Sequence, residues 1–380
     1  MLNFISALIA IGLGNLFLMG ISVLTAMMSV KKRKSTSEIA ASYFGKKGAK
    51  FFSSILSFSM IGWFGIQLDF ISQGVLHILA ICGISIVINP IFVSMGLGVL
   101  MTLGALFGIK GIRILSTITM PLLIGVLIFA LFSSPLSMIN LAPIGAIISL
   151  QGISMVIGGG IAGVIDFPTY FQHAKSKKDG IITSVLLFGL ALPFIEIVGV
   201  CLGFCFPHNS LLTCLIAGGG IFWGFVVSLF LIFAGWTTNN TNIYSVSINS
   251  KKMCPKLSQK MRTLIFGLLG AFLSAFCLLS HLSMVLTIMG ILLGSMGAIT
   301  LVSYLMDQFL RCEIDKKGQI FNLISFMIAT TIGLLTFFGI FALTHLPILD
   351  AFIIAFITTI GLRFMCHKKI KTKEIEYAKN

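Results

Sequence analysis

Eleven stretches of this chain are long and apolar enough to cross a bilayer as a helix, at residues 4–29, 51–80, 91–109, 112–132, 147–171, 181–206, 212–238, 263–280, 283–306, 320–343 and 349–366. The hydrocarbon core of a membrane takes about 20 apolar residues per helical crossing. Lipid offers no partner to an open backbone N–H or C=O, so a chain built this way satisfies its backbone within helices. The expected fold class is an all-α polytopic membrane protein. Composition agrees: 57% of residues are hydrophobic and 10% charged, against about a quarter charged in a soluble domain. That excludes a soluble enzyme, a disulfide-stapled secreted module and a nucleic-acid-binding domain.

The 26 Lys and Arg residues occupy alternate connections between these stretches. They lie at Lys31 to Lys50, at Lys110 and Arg113, at Lys175 to Lys178, at Lys251 to Arg262, at Arg311 to Lys317, and in the tail from Arg363. One face of an eleven-span bundle therefore carries them all, and the positive-inside rule makes that face cytoplasmic. Met1 is expected outside and Asn380 inside, in the inner (plasma) membrane. The net charge of +15 then reports orientation and contact with anionic lipid headgroups, with no nucleic-acid partner. Met1 leads into the first stretch without a basic n-region, so no cleavable signal peptide is expected. Cys201 and Cys205 share a helix face, but without a His or carboxylate neighbour they are expected as buried thiols. His77, His208, His281 and His345 fall near the outer ends and are expected in water.

Three segments place polar groups, glycines and aromatics where lipid makes them costly. In Gly62-Trp63-Phe64-Gly65-Ile66-Gln67, Trp63 and Gln67 are four residues apart and share a helix face. A flat ring could stack on Trp63 while the Gln67 amide bonds its edge, or the Trp could simply pack between helices. In the second segment, Gly158, Gly159 and Gly160 lie mid-span, where they either break the helix and present free backbone groups or allow close helix packing. The third, Ala234-Gly235-Trp236-Thr237-Thr238-Asn239-Asn240-Thr241-Asn242, is a row of neutral oxygens suited to a hard monovalent cation, or else a capping and turn cluster.

With Ser42-Tyr43-Phe44-Gly45 and with Asp166-Phe167 through Phe171, these segments make the chain resemble the nucleobase:cation symporter family 1, the cytosine, purine, allantoin and hydantoin permeases. The resemblance implies a leucine-transporter-like bundle, two five-helix units in inverted repeat plus two further helices. On that plan residues 1–380 form one transmembrane domain. Residues 4–132 are the remainder of the first repeat, 147–306 the second, 320–366 the additional helices and 367–380 a cytoplasmic tail.

The family's stacking Trp falls on Trp63 and a glutamine one turn later on Gln67. Gly158, Gly159 and Gly160, with Asn239 and Asn240, complete the expected substrate-binding set, and Ala234, Thr237 and Thr238 are the expected sodium site. Two features depart from the family: Ile157 stands where an aromatic usually closes the ring sandwich, and the family's first helix has no counterpart. Either the true start lies upstream of Met1, or the chain is shortened, or a reorganised site works without that helix.

Carboxylates inside spans are functional candidates. Asp69 and Glu196 are candidates for proton coupling beside or in place of sodium; Asp166 and Asp307 are expected to pair with Lys175 and Arg311. Ser35-Thr36-Ser37-Glu38 has the capping-box pattern and predicts a short surface helix ending near Gly45. No cluster at catalytic spacing is present, so neither an enzyme nor a cofactor is expected, and no obligate protein partner. The expected function is import of a nucleobase-like heterocycle by cation symport. The alternatives are a non-transporting remnant or accessory protein, or a symporter of another small solute such as an amino acid.

Overall fold

The computed structural model describes residues 3–84, 89–139, 148–207, 209–217, 219–276, 278–310 and 314–377. His208 and Arg311 lie outside these. Among the described residues the chain forms thirteen α-helices and no strand. They are α1 (Phe4–Lys32), α2 (Thr36–Ile81), α3 (Pro90–Ala105), α4 (Gly108–Ser133), α5 (Leu150–Phe171), α6 (Lys177–Leu186) and α7 (Leu192–Cys205). Then follow α8 (Leu211–Ile216), α9 (Ile221–Asn249), α10 (Gln259–Leu273), α11 (Leu282–Leu310), α12 (Lys316–Phe337) and α13 (Pro347–Tyr377). Nine helical segments among the described residues are long and apolar enough to span a membrane, while α3 and α10 are shorter. Each of the eleven expected spans falls on one of these.

Helix starts follow from local chemistry. Asn89, Ser176, Ser210, Ser258 and Asp315 each accept a backbone N–H of the first turn of the helix that follows, satisfying donors that have no partner within the helix. The Ser35 N–H donates to Glu38 Oε2 at 3.2 Å, one half of the expected capping box. The helix it starts runs to Gly45, which at φ +69° and ψ −178° occupies a region reserved for glycine. This first segment is not a surface helix, because Thr36, Ile39, Ala40 and Tyr43 are all buried.

The chain divides into two compact units, neither of them continuous in sequence. The first comprises Met1–Leu13, Ser57–Gly152 and Gly189–Leu282. Its core holds two apolar clusters. One joins α2, α3 and α9 through Phe64, Leu68, Ile71, Met101 and Ile243. The other joins α4, α7, α8 and α9 around Val126, Val198, Leu215, Val227 and Phe230. Small residues let the backbones approach: a methyl on Gly98 would lie 2.6 Å from Ala271 Cβ, and one on Gly270 2.7 Å from Phe64 Cδ1. The expected span 212–238 is two helices, broken before Gly220. There Trp223 Nε1 donates to Leu215 O at 2.9 Å, satisfying a terminal carbonyl of α8. Between α6 and α7 the turn Leu187–Ala191 is π-helical. Pro193 explains it, since a proline has no N–H to return to the carbonyl four residues earlier.

The second unit comprises Gly14–Leu56, Ile153–Phe188 and Ser283–Asn380. The α1–α2 corner is knit to the C-terminal end of α5. Ser29 Oγ donates to Pro168 O at 3.1 Å, Thr36 and Thr169 hydroxyls meet at 3.0 Å, and Thr169 Oγ1 donates to Asp166 Oδ1 at 2.7 Å. The Arg33 guanidinium donates to the carbonyls of Gln172, Ala174 and Lys175, the place where a helix end attracts a cation. On α12, Asn322 Nδ2 donates to Tyr43 O at 2.9 Å, two residues before the Gly45 kink. Asp307 of α11 pairs with Arg363 of α13 at 2.8 Å; its expected partner Arg311 lies outside the described residues. Arg363 also donates to Ser303 O at 2.9 Å. Asp350, fully buried, accepts from Thr336 Oγ1 and from the Leu343 and Thr344 N–H groups, fastening the α12–α13 connection.

The Gly45 conformation carries a test. Gly45→Ala is expected to cost about 1–3 kcal/mol, read as a lowered midpoint of thermal unfolding of the purified protein. An unchanged midpoint would contradict the kink.

Candidate functional site

Trp63 and Gln67 sit on α2 within the first unit, both half-buried. Their helix face continues through Gly74 to His77 and meets α9 along its length. A Cβ on Gly74 would lie 3.0 Å from Ser228 O, and one on Gly224 2.9 Å from His77 Cε1. His77, expected in water, is half-buried and hydrogen-bonds the Ser228 hydroxyl through Nδ1 at 2.8 Å. His281 and His345 are exposed, as expected.

Where this face passes α9 it reaches Gly235. A Cβ there would come within 2.4 Å of Ile71 Cγ1 and 3.7 Å of Gln67 Oε1. The glutamine amide thus lies beside the residue that follows Ala234 and precedes Thr237 by two. Spacing alone did not reveal Gly235 as the contact; its place next to Ala234 in the polar row was the available signal.

The polar row lies in the interior of α9, which continues eleven residues past Thr238 to Asn249, so it is not a capping or turn cluster. Thr237 Oγ1 donates to Phe233 O at 2.8 Å, Thr238 Oγ1 to Ala234 O at 3.0 Å and Thr241 Oγ1 to Thr237 O at 3.0 Å. Thr119 of α4 meets the Thr237 hydroxyl at 3.2 Å. Thr238 is exposed and Thr237 half-buried. These oxygens, without a sulfur or nitrogen among them, fit a hard cation.

Asn239 is fully buried, and its amide nitrogen points to Phe64 O at 3.4 Å and Met101 Sδ at 3.6 Å. It ties α9 to the α2 backbone next to Trp63. Its Oδ1 and that of Asn240 have no hydrogen-bond partner within the protein.

Gly158, Gly159 and Gly160 belong to the second unit, and they do not break their helix: α5 is continuous from Leu150 to Phe171. A methyl on Gly160 would lie 2.4 Å from Leu18 Cδ1 and one on Gly158 3.2 Å from Ile348 Cδ1. Gly158 and Gly160 act as close-packing positions, while Gly159 faces open space; opening this helix would leave backbone groups without partners. Asp69 and Glu196 are half-buried in the first unit, and each has an interaction within the fold. Asp166 is fully buried. Cys201, Cys205 and Cys214 are buried thiols, and among the described residues no three His, Cys, Asp or Glu side chains group to hold a metal.

Residues 1–316 match the family of permeases for cytosine/purines, uracil, thiamine and allantoin. A cytosine permease from Escherichia coli (strain K12) is 22% identical over 315 residues, which cover 79% of this chain and 70% of the relative. Among solved structures, Mhp1, a nucleobase-cation-symport-1 family transporter in a closed conformation with bromovinylhydantoin bound, superposes with a TM-score of 0.78. It is 14% identical and the match covers 97% of this chain and 87% of that one. A Na+-coupled sialic acid symporter in a substrate-bound outward-open state gives a TM-score of 0.63 at 12% identity, with 96% and 90% of the two chains covered. The fold is the leucine-transporter-like bundle expected from the sequence.

Proposed function

Because the chain belongs to the family of permeases for cytosine/purines, uracil, thiamine and allantoin, we propose that it imports a nucleobase or related flat heterocycle by cation symport with alternating access. A permease moves its substrate without making or breaking covalent bonds, so the chain is a multi-pass membrane transporter and not an enzyme. The observation that carries the finer reading is the approach of Gln67 to Gly235 on α9. It supports the reading by bringing the helix face that carries Trp63 and Gln67 beside the oxygen-rich α9 within one unit. Trp63 stacks on the heterocycle and Gln67 bonds its edge. Thr237 and Thr238 take the cation through their hydroxyl oxygens, since the Ala234 carbonyl already accepts the Thr238 hydroxyl, and Asn239 holds the two helices in register.

The test is uptake of radiolabelled cytosine by the purified chain in liposomes, with sodium or proton gradients imposed separately. One of the gradients is expected to accelerate uptake, and unlabelled nucleobases, not amino acids, to compete. Competition by amino acids would transfer the reading to another solute. Folded protein without uptake of any of them would favour an accessory role.

If sodium drives transport, Thr238→Ala is expected to raise the half-saturating sodium concentration about tenfold, the worth of one contact to a charged group. If protons drive it, the pH dependence is expected to disappear in Asp69→Asn or Glu196→Gln.

A further inference from the structure

His77 is a titratable side chain that the transport reading leaves unused. It stands on the α2 face of Trp63: offsets of 4, 11 and 14 residues bring Gln67, Gly74 and His77 within an arc of about 80° of one another and of Trp63. The imidazole is about 15 Å along the helix from Gln67. It lies toward the end opposite Lys46, Lys47 and Lys50, which the positive-inside rule places outside.

Two glycines seat the ring against α9. A Cβ on Gly224 would meet His77 Cε1 at 2.9 Å, and one on Gly74 would meet Ser228 O at 3.0 Å, so a side chain at either position would push ring or helix away. Ser228 is fully buried and donates its one hydroxyl proton to Gly224 O at 2.8 Å. At its 2.8 Å contact with His77 Nδ1 it is therefore the acceptor. The proton of the neutral ring sits on Nδ1, and Nε2 keeps an open lone pair with no hydrogen-bond partner among the described residues. A second proton, on Nε2, adds a charge without breaking the bond to Ser228, since Nδ1 is the donor in both forms.

Among the described residues no carboxylate on the facing helix balances that charge. α9 carries no Asp, Glu, Lys, Arg or His over its whole length. On α2 the neighbouring titratable groups are Asp69, about two turns toward the helix centre, and exposed Cys82. Of the helices packed on α9, α3 has no charged residue, α8 contributes only the thiol of Cys214, and α4 and α10 carry their basic residues at the opposite end. Glu196 belongs to α7, which packs on α4 and α8. An imidazolium at this half-buried position is stabilised by water, and exclusion of that water disfavours it.

We propose that His77 is a proton-binding site at the outer end of the transport path, where Nε2 takes a proton from the external solution and the charged ring resists the loss of water by which that end closes around a substrate. Acid then slows the cycle. The proposal rests on the transport reading, because alternating access closes the path to the outside once per cycle, but on none of the substrate or cation ligands named in it.

The test combines nitrogen NMR of the full chain labelled at histidine with cytosine exchange in liposomes at equal pH inside and out, where no gradient contributes. The His77 signals are those missing from His77→Gln. Between pH 8 and pH 5, the span over which imidazoles ordinarily change charge, Nδ1 is expected to stay protonated and Nε2 to gain a proton. Over the same span exchange by the wild type is expected to fall roughly tenfold relative to His77→Gln, and His77→Lys, charged throughout, to be slow at both ends. A bare Nδ1 at the alkaline end, an Nε2 that stays bare at the acid end, or equal pH profiles for the wild type and His77→Gln would overturn the proposal. If the wild type exchanges no solute, the transport reading falls, and the two nitrogen signals alone uphold or overturn the site.

Discussion

Trp63→Ala is expected to raise the half-saturating substrate concentration for uptake roughly 5- to 150-fold. Stacking of a nucleobase on an aromatic side chain is worth about 1–3 kcal/mol by alanine substitution, and each 1.4 kcal/mol is about a tenfold change. The indole is half-exposed on α2, beside the buried cluster of Phe64, Leu68 and Ile71. Its truncation is thus expected to leave the thermal midpoint close to that of the wild type. Trp63→Phe keeps a ring face and is expected to retain most of the affinity. The measurement is the concentration dependence of cytosine uptake in liposomes for all three proteins. An alanine variant with the wild-type half-saturation value would remove Trp63 from the substrate site.

The largest effect on stability is expected at the other end of the chain, in Arg363→Met. Arg363 and Asp307 are 8% and 16% exposed and 2.8 Å apart. Removing one partner leaves a desolvated charge behind, a loss of about 3–5 kcal/mol. Replacing both, as in Asp307→Leu with Arg363→Met, removes the stranded charge and is expected to recover a substantial part of it. Thermal unfolding of the single and double variants in one detergent distinguishes the two outcomes. If Arg363→Met melts with the wild type, the pair makes no contribution and α11 is held to α13 by apolar contact alone.

How much could be read without coordinates depended on the range of the interactions involved. The spans were legible because a bilayer demands a run of apolar residues, and the capping box because its partners, Ser35 and Glu38, are three residues apart. Glycines were not: the chain has Gly158-Gly159-Gly160 and Gly218-Gly219-Gly220, and the break was expected at the first. In the structure α5 passes through 158–160 unbroken, with Leu18 and Ile348 packed on it. α8 ends before Gly219, where Trp223 supplies the missing hydrogen bond. What decides between bending and packing is the set of distant side chains each glycine meets, which local composition does not encode. The same limit explains why the Asp307–Arg363 pair, whose members are 56 residues apart, was not foreseen. In the candidate site, Trp63 and Gln67 were visible as a shared helix face. Their meeting with α9 at Gly235 was not, since it joins residues more than 160 positions apart.

The threonine ladder of α9 also fixes a polarity. A hydroxyl has one proton to give and two lone pairs to offer. In Thr237, Thr238 and Thr241 the proton is directed into the helix, onto the carbonyls of Phe233, Ala234 and Thr237. Thr119 must then be the donor in its contact with Thr237. The Ala234 carbonyl, holding both its helical N–H and the Thr238 hydroxyl, is saturated, so the outward-facing atoms on this stretch are hydroxyl oxygens. The hydroxyl oxygens make this stretch of α9 a surface of lone pairs without formal charge, with the unpartnered oxygens of Asn239 and Asn240 buried behind it. Such a surface favours a cation or an N–H edge and repels a carboxylate, and it does so without titrating.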